Sequence, residues 1–403
     1  MIEQIINGIN YRLDEETKTA EVIKKNGGYE GDIIIPETVV FNEASYLVTS
    51  IGKMAFFCCE SLKSITIPNS VAHIGDDAFG DCSSLTSIVI PDSVTSIGES
   101  VFDDCSSLTA IKVAEGNTVF DSREKCNALI HTATNTLIRG CQNTNIPNSV
   151  TSIQSDAFYG CSSLTSVTIP NSVTNIGDGV FSGCSSLTSI VVAEGNTVFD
   201  SREECNAIIE TATNTLIFGC QSTTIPNTVT SIGDEAFYRC ESLAAITIPN
   251  SIQSIGYKAF SICKSLKSII IPDSVTSIRQ HAFEYCESLK SVAIGNSVRS
   301  IEFNTFCRCS LLTDVTIGNS LRSIGDYAFE DCKSLTSITI PDSIESIGKE
   351  AFYCCKSLQA IRYGGTIAQW KNITLAEGCL IGAWNRRSAI NVVYCTDGNM
   401  WVH

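Results

Sequence analysis

Apolar residues recur along the chain in a short pattern, which the segment Leu85–Asp104 illustrates. Leu85, Ile88 and Ile90 follow an L-x-x-I-x-I spacing. Because successive side chains of a strand point to opposite faces, Ile88 and Ile90 share one face. Pro91 cannot donate a hydrogen bond to a strand ladder, so the predicted strand ends there.

A second, shorter extended piece follows, with Val94 and Ile97 as its apolar residues. Gly98 permits a bend. Residues 99–104 then predict a short helical turn whose Phe102 points inward. Each unit is therefore expected to contain one strand, one shorter strand and one helical turn.

This unit recurs at a period of 23 residues over most of the chain. Eleven copies carry an inward Phe at the same position: Phe56, Phe79, Phe102, Phe158, Phe181, Phe237, Phe260, Phe283, Phe306, Phe329 and Phe352. Each Phe is followed three residues later by Cys: Cys59, Cys82, Cys105, Cys161, Cys184, Cys240, Cys263, Cys286, Cys309, Cys332 and Cys355. A unit this short cannot bury its apolar face alone and must stack on its neighbours. The sequence therefore predicts a repeat solenoid, mainly β, with a shared core.

Counting strand ends from residue 36 to residue 364 gives fourteen coils. Most are 23 residues long, the first, 36–68, is 32, and two, near 114–147 and 193–226, are 33. Each long coil holds two apolar arms around a Thr-Asn pair, in Asn127–Ile138 and Asn206–Ile217. Such arms predict a protruding hairpin.

The two ends of the repeat need caps, because a terminal coil would expose core and an unpaired strand edge. Residues 1–35 alternate apolar and polar positions around an acidic turn, which predicts an N-terminal capping hairpin. Residues 365–403 break the period, contain the strand-like Ile390–Tyr394, and hold all three Trp residues, Trp370, Trp384 and Trp401. We expect a C-terminal cap there, with residues 36–364 as the solenoid.

The unit IGDDAFGDCSSLTSIVIPDSVT resembles the BspA-like class of leucine-rich repeat. The segment NTVFDSRE of the long coils and the flanks INGINYRLDEETKTAEV and YGGTIAQWKNI are also similar to sequences of that family. The resemblance implies a curved right-handed solenoid with a parallel concave sheet. It also implies a role at bacterial or protist cell surfaces, in adhesion and host-protein binding.

The charge balance narrows the class of partner. The chain has 43 acidic and 27 basic residues, a net charge of -16. This argues against binding nucleic acid or anionic lipid, which attract Lys and Arg. There is also no apolar run of about 18 residues, the length of a membrane-spanning helix, so no membrane insertion is expected.

Twenty Cys residues suggest a disulfide scaffold until they are sorted. Eleven belong to the repeat position described above, where Cys acts as a small buried apolar residue. No pair has the CxxC spacing of a zinc site. We therefore expect structural thiols in a reducing environment, with no metal or cofactor.

Catalytic patterns are missing from the sequence. The four His residues lie in different coils or at the tail, and no nucleophile elbow or phosphate-binding loop occurs. The acidic pairs Asp76-Asp77 and Asp103-Asp104 read as surface charges, with weak calcium binding as the alternative. The sequence predicts that the protein is not an enzyme.

The most variable positions flank the inward Phe, and aromatic residues there become denser toward the C-terminal half. Exposed Tyr and Arg are typical of protein-binding surfaces. The predicted partner-binding residues are Tyr238, Arg239, Tyr257, His281, Tyr285, Phe303, Arg308, Tyr327 and Tyr353. The alternative is that these Tyr side chains half-bury between adjacent turns.

Two other surfaces are weaker candidates. One is the outward strand face, rich in Thr and Ser, which suits strands whatever it binds but could match a glycan. The other comprises the long-coil hairpins near His131, Arg139, Glu210 and Phe218.

We therefore predict a non-enzymatic scaffold for protein–protein interaction, with adhesion or host-protein binding as its role. The alternative is a carbohydrate-binding or purely structural surface protein. A monomer is the default expectation. The resemblance implies a cell-surface or secreted location, whereas the start Met1–Gln4 lacks the features of a secretory signal and predicts a cytoplasmic location if Met1 is the native start.

Overall fold

A computed structural model describes residues 1–380 and 392–401 and divides the chain into two compact units. Unit 1 comprises Met1–Leu187 and Val192–Thr197, and unit 2 comprises Thr188–Val191 and the chain from Val198 onward. Trp384 and the first two residues of the predicted strand Ile390–Tyr394 lie outside the described residues. The division into cap, solenoid and cap stays a prediction.

Unit 1 consists mainly of strands, and most of its coils contain two. They are β1 Ile2–Ile6, β2 Ile9–Asp14, β3 Thr19–Val22, β4 Gly31–Ile34, β5 Thr38–Phe41, β6 Ala44–Ile51, β7 Leu62–Thr66, β8 His73–Ile74, β9 Ser87–Ile90, β10 Ser96–Ile97, β11 Ala110–Val113, β12 Phe120–Asp121, β13 Leu129–His131, β14 Thr136–Arg139, β15 Ser152–Ile153, β16 Ser166–Ile169 and β17 Asn175–Ile176. A 3-10 helix covers Arg123–Lys125. Strand β18, Ser189–Val192, contains residues of both units.

Unit 2 repeats the same elements. Its strands are β19 Phe199–Asp200, β20 Ala207–Glu210, β21 Thr215–Gly219, β22 Ser231–Ile232, β23 Ser254–Ile255, β24 Ser268–Ile271, β25 Ser277–Ile278, β26 Ser291–Ile294, β27 Ser300–Ile301, β28 Asp314–Ile317, β29 Ser323–Ile324, β30 Ser337–Ile340, β31 Ser346–Ile347, β32 Ala360–Tyr363, β33 Thr374–Leu375, β34 Val392–Cys395 and β35 Gly398–Trp401. A 3-10 helix covers Arg202–Glu204, and the short helix α1 covers Ile367–Trp370.

The repeated Phe residues stack inside each unit, continuously in unit 2 and with an interruption between Phe102 and Phe158 in unit 1. In unit 2 the ring centroids from Phe237 to Phe352 are 4.9 to 5.6 Å apart, with nearly parallel planes. In unit 1 the same spacing holds from Phe56 to Phe102. Each stacked pair adds about 0.5–1.5 kcal/mol beyond the burial of its area. The solenoid repeat that the period predicts is therefore confirmed.

The repeated Cys residues have a specific role beside that stack. In eight of the eleven, the Sγ–H donates to the carbonyl of the Phe one coil earlier, as Cys286 does to Phe260 O at 3.2 Å and Cys105 to Phe79 O at 3.0 Å. A residue here must be small, buried and able to donate, which Cys satisfies. All twenty Cys residues are free thiols, as expected for structural cysteines.

The four-residue strands pair in parallel, as the repeat predicts, but the sheet is interrupted. Strands β24, β26 and β28 pair in parallel, whereas residues 144–147, 223–226 and 243–248 form no strand. In the long coils the cause is a threonine: Thr144 Oγ1 accepts from Cys141 N at 2.7 Å and donates to Asn127 O at 2.9 Å. These bonds fasten the chain in a turn where the strand would begin. Residues 243–248 follow such a coil and have no extended neighbour on that side.

The long-coil hairpins form, but they do not protrude. Strands β13 and β14 pair antiparallel, and β14 then pairs in parallel with the short strand β15 of the next coil. Strands β20, β21 and β22 repeat this arrangement. Their apolar residues, among them Ile130 and Leu137, are buried, so the hairpins extend the ladder of short strands.

Both ends carry added strands. Strands β2 and β3 form an antiparallel hairpin, and β3 continues in parallel with β6. Near the C-terminus, α1 begins with a capping box at Thr366, and its Trp370 is buried against Tyr363 at 5.2 Å between centroids. Strand β34 pairs with β32 and with β35. None of the helices within residues 1–380 and 392–401 has the length and apolar character that spanning a bilayer requires.

Candidate protein-interaction surface

The candidate surface is built on the turn that buries the repeated Phe. In all eleven turns, the residues two before and two after the Phe have positive φ. In the turn of Phe260 these are Lys258, with φ of 52°, and Ile262, with φ of 61°. The structure differs here from the predicted helical turn, because left-handed residues occur singly and do not continue a right-handed helix.

Alternate backbone amides of the turn hold neighbouring coils together. Phe260 N donates to Ala282 O and Ile262 N donates to Glu284 O, both at 2.8 Å. The other amides of the turn bond within the turn itself, as Cys263 N does to Phe260 O at 3.2 Å. The left-handed residues therefore recur at one place on every coil that carries a repeated Phe, and neighbouring turns within a unit align them into a surface.

The two units occupy these left-handed positions differently. In unit 1 seven of the ten are Asp or Gly: the set is Met54, Cys58, Asp77, Asp81, Ser100, Asp104, Asp156, Gly160, Gly179 and Gly183. In unit 2 only two of the twelve are Asn, Asp or Gly: the set is Glu235, Arg239, Lys258, Ile262, His281, Tyr285, Asn304, Arg308, Tyr327, Asp331, Glu350 and Cys354. Because Gly, Asn and Asp adopt this conformation most readily, unit 2 keeps bulky residues at strained positions.

Four of the predicted residues form a row of aromatic rings across adjacent coils of unit 2. Tyr257, His281, Phe303 and Tyr327 meet edge to face, with successive centroids 5.5, 5.2 and 5.8 Å apart. The Nζ of Lys349 lies 6.0 Å from the ring centroid of Tyr327 at the end of the row. Edge-to-face contact is a favoured arrangement of aromatic rings, so the row is a pre-formed ridge.

Four more predicted residues surround a shallow groove beside the row. The groove, of about 330 Å³, is lined by Tyr238, Arg239 and Tyr285, with Ile262 between them. The guanidinium of Arg308 lies 4.8 Å from the centroid of Tyr285 and donates to its hydroxyl. This contact combines a cation–π interaction with a hydrogen bond, so Arg308 and Tyr285 hold each other in place.

Lys258 connects the groove to the row. Its Nζ lies 5.3 Å from the ring of Tyr238 and 5.1 Å from that of Tyr257. Tyr353 stays apart, because within the described residues it makes no ring contact with the other candidates. All the aromatic candidates are half-buried, so the alternative prediction of Tyr packed between turns describes their burial correctly.

Acidic side chains lie under the row. His281 Nδ1 is 2.9 Å from Glu284 Oε2, and the amide of Asn304 donates to Glu284 Oε1 at 3.5 Å. One coil further, Cys307 Sγ donates to Glu330 Oε2 at 3.6 Å. Burial raises the pKa of Glu330 and the pKa of Cys307. The floor of the surface is therefore acidic, and its top is aromatic and basic.

The repeat identifies the protein's relatives. The family description "BspA type Leucine rich repeat region" matches residues 37–132, 138–217, 209–317 and 299–379. The chain belongs to the BspA-type leucine-rich repeat family. Proteins of this repeat type are typically interaction or surface proteins and are generally non-enzymatic. Among residues 1–380 and 392–401, no three His, Cys, Asp or Glu side chains are grouped to hold a metal ion.

Two solved structures illustrate the family fold. A leucine rich cell surface protein from Faecalibacterium prausnitzii A2-165 is 28% identical, with 93% of this chain and 98% of that chain covered and a TM-score of 0.56. A leucine-rich repeat protein from Eubacterium ventriosum is 22% identical, with 99% of each chain covered and a TM-score of 0.60. No curated protein matches the sequence.

Some residues of the surface in this BspA-type chain escaped the sequence analysis. Lys258, Ile262 and Glu284 have no aromatic ring and were passed over, although they line the groove or bond the row. For Lys258 and Ile262 the signal is their position relative to Phe260; Glu284, which directly follows Phe283, carries no such signal. Counting two residues before and after each Phe locates every left-handed residue of the turns.

The second candidate surface, on the long-coil hairpins, does not protrude as the sequence predicts. Arg139 and Phe218 are both only 6% exposed, because β14 and β21 are interior strands of their sheets. His131 packs edge-on against Phe120 at 5.9 Å. Glu210 accepts from Thr213 within its own hairpin at 2.5 Å. These residues are part of the repeat structure.

Proposed function

We propose that this protein is a non-enzymatic scaffold that binds a protein partner through the turn surface of unit 2. We call this the aromatic turn surface; it comprises Tyr238, Arg239, Tyr257, His281, Tyr285, Phe303, Arg308, Tyr327 and Tyr353. The observation that carries the proposal is the occupancy of the left-handed positions. Tyr, His, Arg, Lys and Ile stand in unit 2 where Asp and Gly stand in unit 1.

The physical argument rests on strain. A non-Gly residue in the left-handed region loses about 1 kcal/mol or more. Ile262 is branched at Cβ and is therefore especially unfavourable at φ of 61°. Backbone strain persists where the surroundings hold it in place, and it is concentrated at binding sites. Residues chosen only for stability would resemble those of unit 1.

The residue types favour a protein partner. Tyr and Arg dominate the binding energy of protein interfaces, since they supply large contact areas together with hydrogen bonds. The rings of the row are already fixed by their neighbours, so little side-chain entropy is lost on binding. The net charge of -16 favours a basic partner by steering its approach.

The proposal also includes a role at a cell surface. The Faecalibacterium prausnitzii protein is described as a cell surface protein, and this chain is 28% identical to it. Display outside the cell, with adhesion to a host or matrix protein, agrees with an acidic repeat protein whose aromatic turn surface is partly exposed.

A carbohydrate-binding function is the second candidate, on a different face. A groove of about 710 Å³ opens where the parallel sheet is interrupted, and it is lined by Ile225, Ile246, Thr247 and Ile270. Ile270 is 71% exposed there. Thr and Ser hydroxyls beside exposed apolar groups are the chemistry that a sugar ring uses.

One experiment separates the two functions. The full chain is tested against a panel of purified host matrix proteins and against a glycan array. We expect a panel protein to bind, and the triple variant Tyr238→Ala, Tyr257→Ala, Tyr285→Asn to weaken that binding at least tenfold. The matched control, Thr247→Ala with Ile270→Thr on the sheet groove, should bind the protein normally. Glycan binding that only the control variant loses would refute the proposal.

A further inference from the structure

The long coil 114–147 lacks a Phe-bearing turn of its own. At that level of the stack it contributes only Arg139 and Gly140, where Gly140 N donates to Ala157 O at 2.8 Å. The flanking turns approach each other so closely that a Cβ on Gly160 would lie 2.8 Å from the backbone nitrogen of Asp104. The thin layer leaves a cavity of about 300 Å³ between the turns of Phe102 and Phe158.

Arg139 lines this cavity and hydrogen-bonds to the turns on both sides of it. Its Nη1 donates to Asp103 Oδ1 at 2.5 Å and to Asp156 O at 2.8 Å, and its Nη2 donates to Phe102 O and Tyr159 O at 2.6 Å. Arg139 is only 6% exposed, and its Nε is buried with no hydrogen-bond partner. A buried donor without a hydrogen bond is unfavourable by about 1–3 kcal/mol. The cavity therefore lacks an acceptor for the Nε–H of Arg139.

The backbone of the cavity also lacks acceptors. In the preceding coil Asp77 N donates to Glu99 O and Phe79 N donates to Val101 O, both at 2.9 Å. The equivalent amides one coil further belong to Ser100 and Phe102. Within the described part of the chain these two amides have no acceptor, because the long coil offers no turn to receive them.

The charges around the cavity do not balance. Glu99, Asp103 and Asp156 line it against the single guanidinium of Arg139. Burial raises the pKa of Asp103 despite the ion pair with Arg139, and the pKa of Asp156 is raised by burial and by the charge of Asp103. A cationic group among these carboxylates would relieve both effects.

We propose that this cavity binds a small molecule which carries both an ammonium group and hydroxyl groups, as an amino sugar does. The ammonium group donates to Glu99 and Asp156. The hydroxyl oxygens accept from the amides of Ser100 and Phe102 and from Nε of Arg139. The volume of about 300 Å³ is at the lower end of ligand pockets, which suits a single sugar ring.

The second long coil lacks this combination of residues. Seventy-nine residues further along, Phe218 stands in the place of Arg139 and Ser182 in the place of Asp103. Both are buried, and neither carries a charge. The sequence therefore supplies a natural replacement for each residue, which makes the double variant Asp103→Ser, Arg139→Phe a reasonable folded control.

The experiment is titration calorimetry on the full chain with glucosamine, glucose and cyclohexylamine. We expect glucosamine to bind saturably, and glucose and cyclohexylamine to bind at least tenfold more weakly, because glucose lacks the ammonium group and cyclohexylamine lacks the hydroxyl groups. The double variant Glu99→Gln, Asp156→Asn should weaken glucosamine binding at least tenfold with its melting temperature unchanged. Glu115→Gln, an exposed glutamate outside the cavity, should bind like the wild type.

Two results would overturn the proposal. One is no saturable binding of glucosamine up to about 20 mM, far above the range of a specific site. The other is equal affinity for glucosamine in the wild type, the Glu99→Gln, Asp156→Asn variant and the Asp103→Ser, Arg139→Phe variant. Either result would mean that the cavity does not bind the amino sugar.

Discussion

The two units form the same turn around the same buried Phe, yet they place different residues on its outer face. Unit 1 uses Asp77, Asp81 and Gly179 at left-handed positions, and unit 2 uses His281 and Tyr285. The buried halves of the turns are nearly identical, with Ala-Phe and Cys in most coils. The difference is therefore confined to side chains that do not build the core.

This contrast separates residues that stabilise from residues that do something else. Asp and Gly relieve left-handed strain, and Asp adds a charge that keeps a repetitive surface soluble. Tyr, His and Ile do neither. Unit 2 therefore gives up stability at its turns, and the simplest gain in return is a surface on which a partner binds.

The largest expected effect concerns the unit 1 long coil, where Arg139 joins the turns on either side. Arg139→Ala leaves the half-buried carboxylate of Asp103 without its partner and removes three hydrogen bonds to carbonyls, of which Phe102 O and Asp156 O keep a second donor. We expect the free energy of unfolding to fall by about 3–5 kcal/mol. Urea denaturation followed by circular dichroism measures it.

The double variant Asp103→Ser, Arg139→Phe is the control for that loss. It reproduces the residues of the second long coil, so it removes the charge and its partner together. We expect it to recover most of the stability lost by Arg139→Ala. A double variant as unstable as the single one would show that the hydrogen bonds from Arg139 to the carbonyls, which Phe cannot make, carry the stability independently of the charge of Asp103.

A smaller effect is expected from relieving strain at one turn of unit 2. Ile262→Asn replaces a β-branched residue at φ of 61° with one that tolerates the left-handed region. We expect the free energy of unfolding to rise by about 1 kcal/mol. Asp81→Asn in unit 1 should change it by less than about 0.5 kcal/mol. A destabilised Ile262→Asn protein would mean that the packing of Ile262 outweighs its strain.

The sequence predicted the repeat well, because the core depends on positions that recur at 23 residues. Phe260 and Cys263 follow from that period alone. It did not predict the left-handed turns, since Ile262 and Tyr285 are residues that ordinarily avoid them. The interrupted sheet was also missed, because it depends on side-chain hydrogen bonds of Thr144 that no apolar pattern reveals.

The candidate surface was found from sequence for a related reason. Tyr257 and Tyr327 stand at variable positions beside an invariant Phe, and a fixed period makes such variation visible. Their edge-to-face row depends on which residues the intervening coils supply, His281 and Phe303. That arrangement becomes apparent only once the coils are stacked.

The pH dependence of stability tests the acidic floor of the unit 2 surface. Burial raises the pKa of Glu330 in the native state, so the native carboxyl binds its proton more tightly than the unfolded one. The free energy of unfolding therefore falls as pH rises from about 4.5 through the raised pKa. Glu330→Gln should raise the free energy of unfolding by less than about 1 kcal/mol at pH 7 and leave it unchanged at pH 3.5. An equal change at both pH values, or the same profile for Glu60→Gln, would contradict this.

The smallest effect concerns thiols and leaves stability unchanged. Cys58 of unit 1 occupies a left-handed position and is exposed. Cys286, one of the eleven repeated Cys residues, is buried, and burial raises the pKa of its thiol to about 12. The thiolate is the reactive form. We expect Ellman's reagent to modify Cys58 in the native protein and Cys286 only on unfolding. Loss of the fast phase in Cys58→Ser identifies the reactive thiol; rapid native modification of Cys286 would be inconsistent with a closed core.

The most direct test of the binding surface is the triple variant His281→Asn, Tyr285→Asn, Tyr327→Asn, in which three left-handed positions receive a residue that favours them. Its free energy of unfolding and its affinity for the partner found in the matrix-protein panel are measured together. We predict unchanged or higher stability and at least tenfold weaker binding. Lower stability with unchanged binding would show that these side chains serve packing alone.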